Sequence, residues 1–107
     1  MKQPRVEILY FDGCPNHEAA QALVERVAAE LRIKPEIDVV EVPDVETTVQ
    51  RRFLGSPTVR VDGRDVEPGA EERSDFVFSC RAYRTERGFS GQPDPGWVRE
   101  ALSKAAA

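Results

Sequence analysis

Apolar residues along the chain fall into runs of two different periods. Val6-Glu7-Ile8-Leu9-Tyr10-Phe11 is a short apolar run with one charge, closed by Asp12-Gly13, and it reads as a buried central strand. From Pro15 to about Arg32 the spacing changes. Ala20, Leu23, Val24, Val27 and Leu31 recur every three or four residues with Glu18, Gln21, Glu25 and Glu30 between them, which predicts an amphipathic helix. Pro15 suits the first turn, where a missing N–H costs nothing, and this puts Cys14 at or next to the N-cap. Pro35 stops the helix, and Ile37-Asp38-Val39-Val40-Glu41-Val42 is rich enough in β-branched residues to form a second strand. Strand, helix and strand in succession imply a right-handed parallel pair.

Asp44 then caps a short helix in which Val45, Val49 and Phe53 form a stripe and Gly55 provides the stop. After Ser56-Pro57, the runs Thr58-Val59-Arg60-Val61 and Arg64-Asp65-Val66-Glu67 flank Asp62-Gly63, a strong hairpin signal. Asp94-Pro95-Gly96 opens a last helix through Trp97, Val98, Ala101 and Leu102. The predicted order is β-α-β-α-β-β-α. The segment from Pro68 to Pro93 has the Gly, Ser, Glu and Arg of a loop, yet Phe76, Val77, Phe78, Cys80 and Tyr83 are too apolar to hang in solvent. A loop of that length in a compact domain has structure of its own or a function.

Length and charge narrow the functional classes. The 107 residues, 40% of them hydrophobic, suit one domain spanning 1–107 with one modest core. Nineteen acidic residues against fifteen basic ones give a formal charge of −4, the wrong sign for neutralising a phosphate backbone, so no nucleic-acid partner is expected. The start, Met1-Lys2-Gln3-Pro4-Arg5, lacks the apolar stretch of roughly 7–15 residues of a signal peptide, and no run approaches the roughly 20 apolar residues of a membrane span. A soluble, cytoplasmic protein without membrane contact is the expectation. In a reducing compartment its two cysteines are free thiols, metal ligands or catalytic groups before they are a structural staple.

The motif Tyr10-Phe11-Asp12-Gly13-Cys14-Pro15-Asn16-His17, with Gly55-Ser56-Pro57-Thr58 and Ser79-Cys80-Arg81, resembles a family of small bacterial proteins in the thioredoxin-like superfamily, some labelled alkylmercury lyases. The resemblance implies an α/β, thioredoxin-like fold with a four-stranded mixed sheet and an inserted segment after the fourth strand. It implies that Cys14 is the nucleophile and Pro57 a cis-proline beside it, exposing the Ser56 main chain to a peptide-like or thiol substrate. His17 stands where a thioredoxin has its second cysteine, which excludes a dithiol cycle within the motif.

A thiol attacks as its thiolate, and a free cysteine of pKa about 8.5 is only a few per cent ionised at neutral pH. The unpaired N–H groups and dipole at a helix start stabilise the thiolate, which makes Cys14 the expected reactive sulfur. A buried cysteine acting as a small hydrophobe is the bland alternative. His17, one helical turn on, is positioned to bond the thiolate or relay a proton, or is simply a polar first-turn residue. Asp12 is a turn residue first and a proton acceptor or donor second.

Cys80 follows a hairpin expected to return the chain to the Cys14 end, where it serves as resolving thiol or second ligand, or else lies inert among Phe76, Phe78 and Tyr83. Two functional classes follow. One is a thiol redox protein in which Cys14 attacks, Cys80 resolves, and a small thiol or disulfide is the partner. The other binds mercury or cleaves an organomercurial with Cys14 and Cys80, Asp12 supplying the proton, because soft ions select thiolates. Structural zinc ranks last, since Cys14, Cys80 and His17 supply three ligands where four are usual. No cofactor is implied, and a binding module with a vestigial site is a third class.

Overall fold

A computed structural model describes residues 3–107; Met1 and Lys2, where the reading of the N-terminus begins, lie outside them. The elements are β1 (Arg5–Tyr10), α1 (His17–Glu30), β2 (Glu36–Glu41), α2 (Val45–Gln50), β3 (Thr58–Val61), β4 (Arg64–Asp65), a 3-10 turn (Ala70–Glu72), β5 (Tyr83–Thr85), β6 (Gly88–Ser90) and α3 (Pro95–Ala106). Four strands form a mixed α/β sheet in the order β2-β1-β3-β4, and β5 and β6 pair as a separate hairpin. β1 runs parallel to β2 and antiparallel to β3, with Leu9 opposite both Val40 and Thr58. The β3–β4 turn puts Asp62 at φ 50° and Gly63 at φ 84°, the two positive angles of a type I′ hairpin.

Alternation along β1 divides the core. Val6 and Ile8 pack with Leu23, Val24 and Val27 of α1 and with Val98 and Leu102 of α3, so both long helices cover one face of the sheet. Leu9 points to the other face, where it joins Val42 and Phe53, with Val40 and Phe78 against them. The second core lies at the end of the sheet where β1 runs out towards Cys14. No described helix is long and apolar enough to cross a membrane.

Two local expectations are corrected. The stripe Val45, Val49, Phe53 does not face the core: Val45 and Val49 are exposed, Thr48 is the buried residue of α2, and Phe53 lies beyond the helix. Nor does Gly55 stop α2. The helix closes earlier in a Schellman turn, with the Phe53 N–H donating to the Thr48 carbonyl at 2.8 Å and Arg52 at φ 53° in the position glycine usually takes. Arg60 compensates by donating to the Arg51 and Arg52 carbonyls at 2.5 and 3.0 Å, a cation at the negative end of a helix. Gly55, at φ 118°, serves another contact: a Cβ there would lie 2.8 Å from the Cβ of Arg81.

Candidate functional site: two thiols on converging segments

Cys14 sits in a loop built by its neighbours. Its N–H donates to the Phe11 carbonyl at 3.1 Å across Asp12-Gly13, and Gly13, at φ 91°, supplies the positive angle that the third position of a type II turn requires. Asp12 is exposed on that turn. The N-cap of α1 is Asn16, not Cys14, which lies two residues upstream of it. Asn16 is held there from outside the helix, because Gln92 donates to its carbonyl at 3.1 Å and Gly91 packs so close to its side-chain amide that a Cβ at position 91 would force that amide to shift.

His17 does not point its bonded nitrogen at the sulfur. Nδ1 lies 3.1 Å from the Cys14 carbonyl oxygen. A carbonyl only accepts, so Nδ1 carries the proton and Nε2 is the free position. The ring stacks on Tyr10, with centroids 4.2 Å apart and planes 16° from parallel. His17 therefore clamps the Cys14 loop through its main chain, a role that the three-residue spacing left open between thiolate partner and surface residue.

The second thiol arrives by a different route. The Val77 N–H donates to the Phe53 carbonyl at 3.0 Å, the Ser56 N–H to the Ser79 carbonyl at 2.9 Å, and the Arg81 N–H to the Ser56 carbonyl at 2.8 Å. Cys80 and Ser56 thus form a parallel bridge. The Ser56 main chain, expected to be open to substrate, is paired on both its N–H and its carbonyl by the chain's own residues, and Ser56 and Pro57 are both buried. The Ser56–Pro57 peptide is cis.

Exposure of the two sulfurs reverses the expectation. Cys14 is buried, with 5% of its surface exposed, whereas Cys80 is exposed; both are free thiols. Cys80 escapes the apolar company of its segment: Phe76 and Phe78 are partly buried and Val77 and Ser79 exposed in strand-like alternation, and the alternation breaks at Cys80, which is exposed next to the buried Arg81.

Arg81 is the buried neighbour of Cys80 that pattern reading missed. Its guanidinium donates to Asp65 at 2.8 and 3.2 Å, to Glu67 at 2.6 Å and to the Thr58 hydroxyl at 3.1 Å, and lies 4.2 Å over the Tyr83 ring. Burial disfavours the cation, but Tyr83, Asp65 and Glu67 outweigh it and hold Arg81 above its ordinary pKa. Tyr83 is fully buried, its hydroxyl donates to the Pro57 carbonyl, and burial pushes its phenol above the usual value. The available signal was a cation in an apolar run, with Asp65 and Glu67 two residues apart on one face of the preceding strand-like segment.

Among the described residues, no three His, Cys, Asp or Glu side chains gather into a metal-holding group. Clefts open between β3–β4 and α3, at Val61, Val66 and Trp97, and between α1 and the β5–β6 hairpin, at Leu23 and Phe89; neither cysteine lines them. No protein-family model, curated protein or solved structure matches the chain. Fold and site define a mixed α/β protein with one sheltered and one exposed thiol on segments that meet at one end of the sheet.

Proposed function

We propose that this is a thioredoxin-like, thiol-dependent redox protein that cycles between two free thiols and a Cys14–Cys80 disulfide, with a small thiol or disulfide as its partner. The convergence of the two segments carries the reading. Leu9 opposite Thr58 in the antiparallel pair sets Phe11 near Ser56, Ser56 bridges Cys80, and the rings of Phe11 and Phe78 stand 5.1 Å apart. The strand order β2-β1-β3-β4, with only β1 and β2 parallel and a helix directly after β1, supports the thioredoxin-like class.

The chemistry balances with peroxide as oxidant. One thiol takes an oxygen to become a sulfenic acid and releases water; the other attacks that sulfur, a second water leaves, and the S–S bond forms. An external dithiol returns both sulfurs to thiols by exchange through a mixed disulfide. The helix start of α1 lies two residues beyond Cys14 and favours negative charge there, while His17 fixes the loop that carries the sulfur.

Equilibration in buffers of graded thiol–disulfide poise tests the proposal. The protein should lose both free thiols together in one reversible two-electron transition, and Cys14→Ser and Cys80→Ser should each abolish it. Titration of the two thiols independently of one another would contradict a shared disulfide.

A further inference from the structure

The two edges of the main sheet are finished differently. At β4 the outward Asp65 N–H is closed off by the Glu71 carboxylate, which accepts it at 2.8 Å. At β2 nothing comparable stands. The Glu36 and Val42 N–H groups donate to the Pro4 and Tyr10 carbonyls at 2.9 and 2.7 Å, so the even-numbered residues of β2 turn their main chain to β1. Ile37, Val39 and Glu41 therefore aim theirs away from the sheet, and among the described residues no hydrogen bond meets them there. Val39 is 43% exposed on this edge. An open edge of this kind is a template for another strand.

The sequence of β2 selects a second copy of itself as that strand. In an antiparallel twofold pairing centred on Val39, Val39 meets Val39 of the second copy, Ile37 meets Glu41, Asp38 meets Val40 and Glu36 meets Val42. All three outward residues find partners, and no two acids stand opposite each other. The neighbouring registers are worse. Centring on Asp38 opposes two carboxylates and sets Glu41 against Pro35, while centring on Val40 sets Ile37 against Pro43, and neither proline has an N–H to give. In the favoured register the two Asp38 carboxylates lie diagonally, and each keeps Arg5 at 3.6 Å.

Charge on the helix-covered face supports the same register. Ile37 lines an open cleft with Ala29, Ile33, Arg32 and Lys34 at the end of α1. Among the described residues Arg32, Lys34 and Glu41 are exposed and make no ion pair. Glu41 shares the face of Ile37 and Val39, so opposite Ile37 it brings a carboxylate to two free cations, and the twofold axis repeats the contact. We propose that the protein forms a reversible homodimer through β2, joining the two four-stranded sheets into one. Neither cysteine takes part, so the dimer stands or falls independently of the thiol chemistry.

Sedimentation velocity of the full chain, kept reduced so that exposed Cys80 cannot cross-link, tests the proposal. The wild type should be half dimeric below about 100 μM, the affinity expected of a small interface. Val39→Pro, which an edge strand tolerates where its N–H faces solvent, should stay folded and become monomeric at that concentration. Glu41→Lys and Lys34→Glu should each weaken the dimer about fivefold, and mixing the two variants should restore most of the affinity as a heterodimer. These exposed charge reversals decide the matter if Val39→Pro unfolds. A wild type that is monomeric at about 100 μM, or a dimer that the charge reversals leave unchanged, would overturn the proposal.

Discussion

Cys14 and Cys80 are held by bonds of opposite range. The Cys14 loop is closed by its own neighbours: its N–H bonds Phe11, its carbonyl meets His17 three residues on, and His17 stacks on Tyr10. The Cys80 segment has no regular element of its own and takes its shape from Phe53, Ser56, Thr58 and Asp65, the last two reached by Arg81 across 23 and 16 residues. The local loop carries the buried sulfur and the borrowed strand carries the exposed one. The apolarity of a thiol's sequence neighbours does not decide its setting in this fold: Cys80 is exposed although it follows Phe76 and Phe78, and Cys14 is buried although it stands between Gly13 and Pro15.

If the strand is borrowed, its anchor should dominate its stability. Arg81→Met leaves Asp65, whose side chain is 5% exposed, facing a buried site without its cation, and should cost about 3–5 kcal/mol in urea unfolding. A loss below about 1 kcal/mol would show that Asp65 and Glu67 are solvated without Arg81, and the contrast between the two segments would collapse.

Tyr83→Phe is the gentler test of the same anchor. It leaves the Pro57 carbonyl without its donor and should cost about 1–3 kcal/mol. It should also change the alkaline limb of the stability curve. Burial raises the Tyr83 phenol above its unfolded value of about 10, so the folded state favours the neutral form; that stability is complete below about pH 10 and is lost as pH rises beyond it. Urea midpoints measured at pH 8 and pH 11 should fall more in the wild type than in Tyr83→Phe. An equal fall would mean that the Tyr83 hydroxyl is not held in a buried bond.

The same division of range explains what the sequence made legible. The hairpin at Asp62-Gly63 and the helix start at Asp94-Pro95 follow from signals carried by two or three adjacent residues, and both form, with the Asp94 carboxylate accepting from the Gly96 N–H at 2.8 Å. The end of α2 was misread because Gly55 offered the usual signal, whereas the turn is made by Arg52 and supported by Arg60 from another strand. The Cys80 segment was legible only as a contradiction, an apolar stretch in loop-like surroundings. Its resolution depends on main-chain bonds to Phe53 and Ser56, which leave no periodic trace. The approach of Cys80 to the Ser56–Pro57 end was expected from the hairpin's direction; the closure of the Ser56 main chain by that approach was not.

The central claim is that the two segments bring their sulfurs into one reactive pair. Mild peroxide treatment of reduced wild-type protein, followed by non-reducing digestion and mass spectrometry, tests it most directly. A disulfide requires Cα atoms within about 4.4–6.8 Å, reached directly or after a small movement of the Cys80 segment. The account predicts a linked Cys14–Cys80 peptide in monomeric protein, absent after reduction and replaced in Cys80→Ser by sulfinic acid on Cys14. Wild-type protein that yields only over-oxidised, unlinked cysteine peptides would contradict it.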